Sequence, residues 1–176
     1  MPIKGRIALT GRPGVGKTTL IKRVLELIPL SAGGMLTEEI RVCGHRVGFS
    51  VFDIATGREG TLAHLHLSSG PKVGRYRVDV RALKEIGIAA IERAIENYDL
   101  VVIDEIGPME LSSPAFIPAV EAALESGRSL IISTHAHADV PIAHRVRREL
   151  TLLRVKLGNR DRLVGKILHT FGVKPG

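Results

Sequence analysis

The segment Gly11-Arg12-Pro13-Gly14-Val15-Gly16-Lys17-Thr18 constrains this chain more than any other. It follows an apolar run, Arg6–Thr10, and opens a stretch in which Leu20, Ile21, Val24, Leu25 and Ile28 recur at helical spacing until Pro29. The expected unit is a strand, a glycine-rich turn and a helix. Gly11, Gly14 and Gly16 permit tight or positive-φ backbone, which lets successive N–H groups converge on one point. The helix adds the positive end of its dipole at the same point. In that context the pattern G-x-x-x-x-G-K-[ST] predicts a phosphate cradle, with Lys17 reaching the β- and γ-phosphates of a nucleotide and the Thr18 hydroxyl ligating Mg²⁺. Arg12, Pro13 and Val15 fill permissive positions and contribute mainly through their backbone amides.

A second segment completes such a site. Leu100, Val101, Val102 and Ile103 form a short apolar strand that runs into Asp104, Glu105, Ile106 and Gly107. Ligands of parallel sheets sit at the carboxyl ends of the strands, so Asp104 is placed to hold the Mg²⁺ shell. Glu105 beside it is expected to act as a general base that orients and deprotonates water, with Lys17 as the second catalytic group. The alternative for Glu105 is an acidic turn before Gly107-Pro108. Thr134 and His135 end a third apolar strand, Ser129–Thr134, where a polar residue either senses the γ-phosphate or simply meets solvent. Arg145, Arg147, Arg148, Arg160 and Arg162 are candidates to neutralise developing charge, with preference for Arg160 near the start of the last helix.

The rest of the chain reads as alternating strands and helices. Met35–Val42, His45–Asp53 and Glu59–Leu65 are separated by turn-like Cys43-Gly44 and Ala55–Arg58, which predicts an antiparallel hairpin or meander. Ser68–Arg77 is polar and glycine-containing and reads as a loop. Helices are expected over Val80–Asn97 with Asp79 as cap, over Pro114–Ser126 with Ser113 as cap, and over Asn159–Phe171. Leu150–Leu157 is expected as a further strand. The sum is an α/β fold, a three-layer sandwich around a mostly parallel sheet, in one domain spanning residues 1–176.

Composition narrows the classes. No apolar run approaches the roughly 20 residues of a membrane span, and the N-terminus lacks a secretory pattern, so a cytoplasmic setting is expected. Cys43 is the sole cysteine, which removes intrachain disulfides and cysteine metal clusters. A net charge of +7 permits polyanionic partners, yet no aromatic residues interleave with the Arg145–Arg148 cluster to stack bases. Nucleotides are therefore the favoured anions over nucleic acid. The absence of Gln and the presence of only two Asn, Asn97 and Asn159, suit a heat-adapted source. A monomer is the favoured state, and no segment carries a base-reading motif.

At this point the residues resemble the THEP1 nucleoside-triphosphatases, called cancer-related nucleoside-triphosphatases in animals. The resemblance covers nearly the whole chain. It rests on Gly33–Arg41, Gly44–Phe49, Val73–Tyr76 and, most specifically, Asp104-Glu105-Ile106-Gly107-Pro108-Met109-Glu110-Leu111. It implies a RecA-like P-loop fold, broad hydrolysis of ATP, GTP and other triphosphates with Mg²⁺, and nucleotide binding by Gly11–Thr18 and Leu100–Gly107. Two other readings share the P-loop. A small kinase would pass phosphate to an acceptor beneath a lid drawn from Ser68–Arg77 or Arg145–Arg148, and a nucleic-acid-stimulated ATPase would use the basic charge. Topology separates the hydrolase from the kinase-GTPase branch: with an adjacent glutamate, Ser129–Thr134 should lie between Arg6–Thr10 and Leu100–Ile103.

Overall fold

The structure is a computed structural model that describes residues 5–174. Nine strands form one sheet in the order β5-β6-β4-β3-β2-β7-β8-β1-β9. Its parallel part comprises β1 (Arg6–Gly11), β7 (Leu100–Ile106), β8 (Ser129–His135), β9 (Thr151–Arg154) and the first residues of β2 (Ala32–Val42). β8 pairs with β1 on one side and β7 on the other, from Arg6↔Leu130 and Leu100↔Ser129 onward. The expected insertion of this strand between the other two is therefore present.

The strands are apolar on both faces because helices cover both. Val101, Ile103, Leu130 and Ile132 pack with Ile91 and Ala94 of α3 (Ala89–Asn97), Val120 and Leu124 of α4 (Phe116–Glu125) and Val146 of α5 (Pro141–Glu149). The alternate residues Ile7, Leu9, Val102 and Ile131 pack with Leu20, Ile21 and Val24 of α1 (Lys17–Leu27) and with Leu163 and Ile167 of α6 (Arg160–Thr170). This is the period-two alternation of a strand resolved into two cores. Burial of each such side chain stabilises the fold by about 1.5–3 kcal/mol, and together they hold the carboxyl ends of β1, β8 and β7 side by side.

The meander is present as β2, β3 (His45–Asp53) and β4 (Glu59–His64), joined by antiparallel ladders. β2 also begins earlier than its apolar pattern suggested, at Ala32, where Gly33 packs closely under Tyr98 and Ala94. Past Met35 it outruns its partner β7 and carries Thr37 toward the P-loop helix.

Several boundaries differ from expectation. Ser68–Arg77 is not all loop: β5 (Lys72–Val73) and β6 (Tyr76–Val78) pair there, because Tyr76 is buried edge-on against Phe49 and Gly74 turns at φ 59°. The helix expected at Pro114 begins at Phe116. A single 3₁₀ turn, Glu110–Ser112, precedes it, and Ser113 serves the turn instead, its hydroxyl accepting from the Ala115 N–H at 3.4 Å. Val80–Asn97 is helical throughout with Asp79 capping the Ala82 N–H, but it widens into π turns over Leu83–Ile88 between α2 (Val80–Ala82) and α3. β9 covers only Thr151–Arg154 of the longer strand expected over Leu150–Leu157. The sequence pattern predicts no element over residues 136–149, yet α5 lies there with Pro141 at its first turn. Among the described residues no helix is long and apolar enough to cross a membrane.

Candidate active site

The P-loop runs from the end of β1 to α1. Gly14 and Gly16 have φ of 78° and 103°, the left-handed backbone that a side chain disfavours, and Gly16 is the N-cap of α1. Gly11 is held for a different reason. A Cβ there would stand 2.8 Å from the Val155 carbonyl and from Val15, so the loop can close against β9 only with glycine. Arg12, Pro13 and Gly14 are exposed, and with Gly11 and Val15 they line a cavity of about 730 Å³ whose other wall is Ala136, His137 and Arg154–Leu157. That volume lies within the range of small-molecule sites.

Lys17 is drawn inward rather than out to solvent. Its side chain is 6% exposed, and its ammonium donates to the Gly11 carbonyl at 2.7 Å and the Thr134 carbonyl at 3.4 Å, with Glu105 Oε2 at 3.2 Å. Three oxygens thus surround one cation at the point where α1 begins, a geometry that phosphate oxygens can reproduce. Glu105 is a quarter exposed and so remains within reach of water.

Asp104 is fully buried and accepts from the Thr18 hydroxyl at 2.6 Å and the Ser133 hydroxyl at 2.5 Å. Burial, and then the charge of Glu105, push its pKa from 3.8 up to about 6, against the lowering by those two hydroxyls and Lys17. The Asp104–Glu105 peptide is cis, and the β7–β8 register shifts between Ile103 and Ile106. Leu100, Val101, Val102 and Ile103 lie wholly in the core, so their part in the site is to carry Asp104, Glu105, Ile106 and Gly107 to the carboxyl end of the sheet. An all-oxygen pair of hydroxyl and carboxylate suits a hard cation such as Mg²⁺, which is commonly held by one or two carboxylates together with substrate phosphates. Thr18 and Asp104 therefore fit the metal role expected of them.

The arginine candidates separate. Arg160 lies on the P-loop: its Nη1 is 2.6 Å from where a Cβ on Gly16 would stand. Arg145 is engaged instead by Glu149 at 2.6 Å and Glu125 at 3.6 Å. Arg147 turns into the β8–α5 connection, while Arg148 and Arg162 are exposed, the latter beside β9. His135 is held below its ordinary pKa by burial and then by Lys17, so it is neutral at neutral pH.

Two residues in this neighbourhood, Ser133 and Glu110, have no role in the motifs, and Arg147 takes a place other than the charge-neutralising one expected of it. Ser133 carries no motif, being a serine in an apolar strand, although its place one residue before Thr134 puts it on the face opposite Thr134 and beside Asp104. Glu110, which enters the resemblance above with no role of its own, is 4% exposed. Burial, and then the charges of Glu105 and Asp104, raise its pKa well above the carboxylate range. Glu105 Oε1 and Glu110 Oε2 flank Gly107, each about as close to its would-be Cβ as packing allows, at 3.3 and 3.2 Å.

A parallel sheet with an inserted β8, a glycine loop capping α1 and a carboxylate strand beside it define a P-loop NTPase. Residues 6–168 match the family model described as NTPase. The chain is 46% identical over 175 residues to the nucleoside-triphosphatase THEP1 of Methanosarcina acetivorans, covering 97% of this chain and 99% of that protein. It is 47% identical to the protein of the same name from Thermofilum pendens, over 88% of each. The crystal structure of THEP1 from the hyperthermophile Aquifex aeolicus superposes with a TM-score of 0.86 at 31% identity, over 94% of this chain and 98% of that one. The solution structure of a human cancer-related nucleoside triphosphatase superposes at 0.74 and 32% identity, over 94% and 96%. The chain belongs to the THEP1 nucleoside-triphosphatase family.

Proposed function

We propose that this protein hydrolyses nucleoside 5′-triphosphates to diphosphate and phosphate with Mg²⁺, using Glu105 to activate water. The observation that carries the reading is the grouping of Lys17, Glu105 and the Thr18–Asp104 pair at the ends of three adjacent strands. Lys17 and the loop amides of Gly11–Thr18 take the charge of the β- and γ-phosphates, and they gain most where charge develops in the transition state. Thr18 and Asp104 would hold Mg²⁺, which when bound would supply further neutralisation of phosphate charge. Glu105, partly exposed and paired with Lys17, is released as a base when phosphate oxygens take over the ammonium, and then accepts a proton from the attacking water. Arg160 supports the loop from the α6 side as an additional cation.

Base tolerance has a structural rationale. The cavity next to the P-loop is walled by Pro13, Val15, Val155, Leu157 and basic side chains, without an Asn, Gln or carboxylate to read a base edge. Hydrolysis is favoured over kinase chemistry by the strand order β7-β8-β1 and by the charged Glu105 open to water.

The Asp104 environment tests the metal assignment. Because its folded pKa is raised, the folded protein holds this proton more tightly than the unfolded chain, so ionisation costs stability as pH rises from 3.8 through about 6. The full cost above that range is about 3 kcal/mol. Asp104→Asn should therefore raise the melting temperature of the nucleotide-free protein at pH 8, with the gain shrinking toward pH 4, while Mg²⁺-dependent turnover is lost. In the wild type, turnover should fall as pH drops through about 6, where Asp104 binds a proton in place of the metal. A variant that turns over normally, or one whose gain over the wild type is no larger at pH 8 than at pH 4, would remove Asp104 from this role.

A further inference from the structure

Thr134, one residue before the end of β8, lies between two cations, one from the P-loop and one from α5. Lys17 donates to its carbonyl at 3.4 Å from the P-loop side. Arg147 of α5 donates through Nε to its hydroxyl at 3.3 Å. The same guanidinium spends its other two nitrogens on the connection that follows, donating to the His135 and Ala138 carbonyls at 2.9 Å each. All three nitrogens of one planar fork are thus committed to residues 134–138, and none of them to a carboxylate.

That pattern is unlike an arginine finger, whose donors stay free for phosphate. It is also unlike a solvated surface charge, because rotamer freedom has been given up for three acceptors. The neighbouring Arg145 forms the ordinary surface pairs of α5, with Glu149 and Glu125. There is a chemical consequence at Thr134. A hydroxyl has one proton to donate and lone pairs that accept. Because Arg147 already occupies an acceptor position, the Thr134 proton points elsewhere, and the charged donor makes that O–H a stronger donor in turn. Thr134 is fully buried, lies opposite Ile106 across the ladder and is one strand position from Glu105.

We propose that Arg147 is a positioning residue that holds Thr134 as a hydrogen-bond donor toward the γ-phosphate end of the site. The inference rests on the placement of Lys17 and Glu105 at that end. It makes Arg147 act through Thr134, without touching the nucleotide. Lysine does not substitute, since one ammonium lacks the flat fork that spans a hydroxyl and two carbonyls.

The test is a double-mutant cycle read by single-turnover hydrolysis of Mg-ATP, alongside ADP affinity by titration calorimetry. Arg147→Ala should slow hydrolysis about tenfold or more with ADP affinity unchanged within about twofold, and in a Thr134→Val background it should cause no further slowing. Arg147→Lys, which keeps the charge and the packing stem, should be slowed as Arg147→Ala is. Wild-type rates in Arg147→Lys, an equal further loss in the Thr134→Val background, or a parallel fall in ADP affinity would each overturn the inference. Glu105→Gln measured beside them separates the two levels: full activity there removes the hydrolytic reading itself, whereas an inactive Glu105→Gln with a fully active Arg147→Ala removes only the role of Arg147.

Discussion

Glu105→Gln should bind Mg-nucleotide about as well as the wild type and hydrolyse it about 100- to 10,000-fold more slowly, the span over which positioned general bases act. The amide has nearly the same shape as the carboxylate, so the Lys17 contact at 3.2 Å can persist as a hydrogen bond and the loop is not disturbed. What disappears is the basic oxygen. The same change removes a negative charge that raises the pKa of both Asp104 and Glu110, so the two buried carboxyls should ionise more readily in the variant. Single-turnover rates with ATP and GTP, set beside dissociation constants for each, separate the effects. Tight binding with lost turnover is the expected pair. Undiminished hydrolysis would take Glu105 out of the mechanism.

Lys17→Ala is expected to act on binding and turnover together. The ammonium is almost fully buried and satisfies Gly11, Thr134 and Glu105 at once. Charge-assisted bonds of this kind contribute about 1.5–3 kcal/mol each, so triphosphate affinity should weaken about 10- to 100-fold or more. Turnover should fall by a further factor on the order of 100 to 1,000, because the lost cation also stabilised charge that grows in the transition state. Removing it leaves Glu105 and Asp104 as uncompensated carboxylates near one another. Nucleotide titrations and initial rates check both parts, and a variant that binds normally would place the phosphates away from Lys17.

Much of this site is legible in the chain because its chemistry tolerates few residue types. Only glycine fits the backbone at Gly14 and Gly16, only lysine supplies a compact cation at Lys17, and an apolar strand ending in Asp104-Glu105 carries its meaning in its order. The place of β8 between β1 and β7 follows from that glutamate and is observed. The parts that escaped depend on packing. α5 buries only Ile142, Ala143 and Val146, too short a stripe to stand out beside its four basic and acidic neighbours, although Pro141 marks its start. Without that helix Arg147 has no address, and its three bonds to residues 134–138 cannot be read from spacing. Glu110 has no role in the chain pattern, and only the 3₁₀ turn that carries it beside Gly107 brings it to the site. In Ser68–Arg77 the apolar residues are few, and only the ring contact of Tyr76 with Phe49 shows that two short strands gain by pairing.

The account stands most directly on where the γ-phosphoryl group goes. Wild-type protein incubated with Mg-ATP in isotopically labelled water, with no acceptor added, should release inorganic phosphate carrying one labelled oxygen. Added nucleosides or sugars should leave both the rate and the label unchanged. Phosphate that appears only on an added hydroxyl, with no labelled inorganic phosphate in its absence, would contradict hydrolysis at this site and assign the P-loop to a kinase.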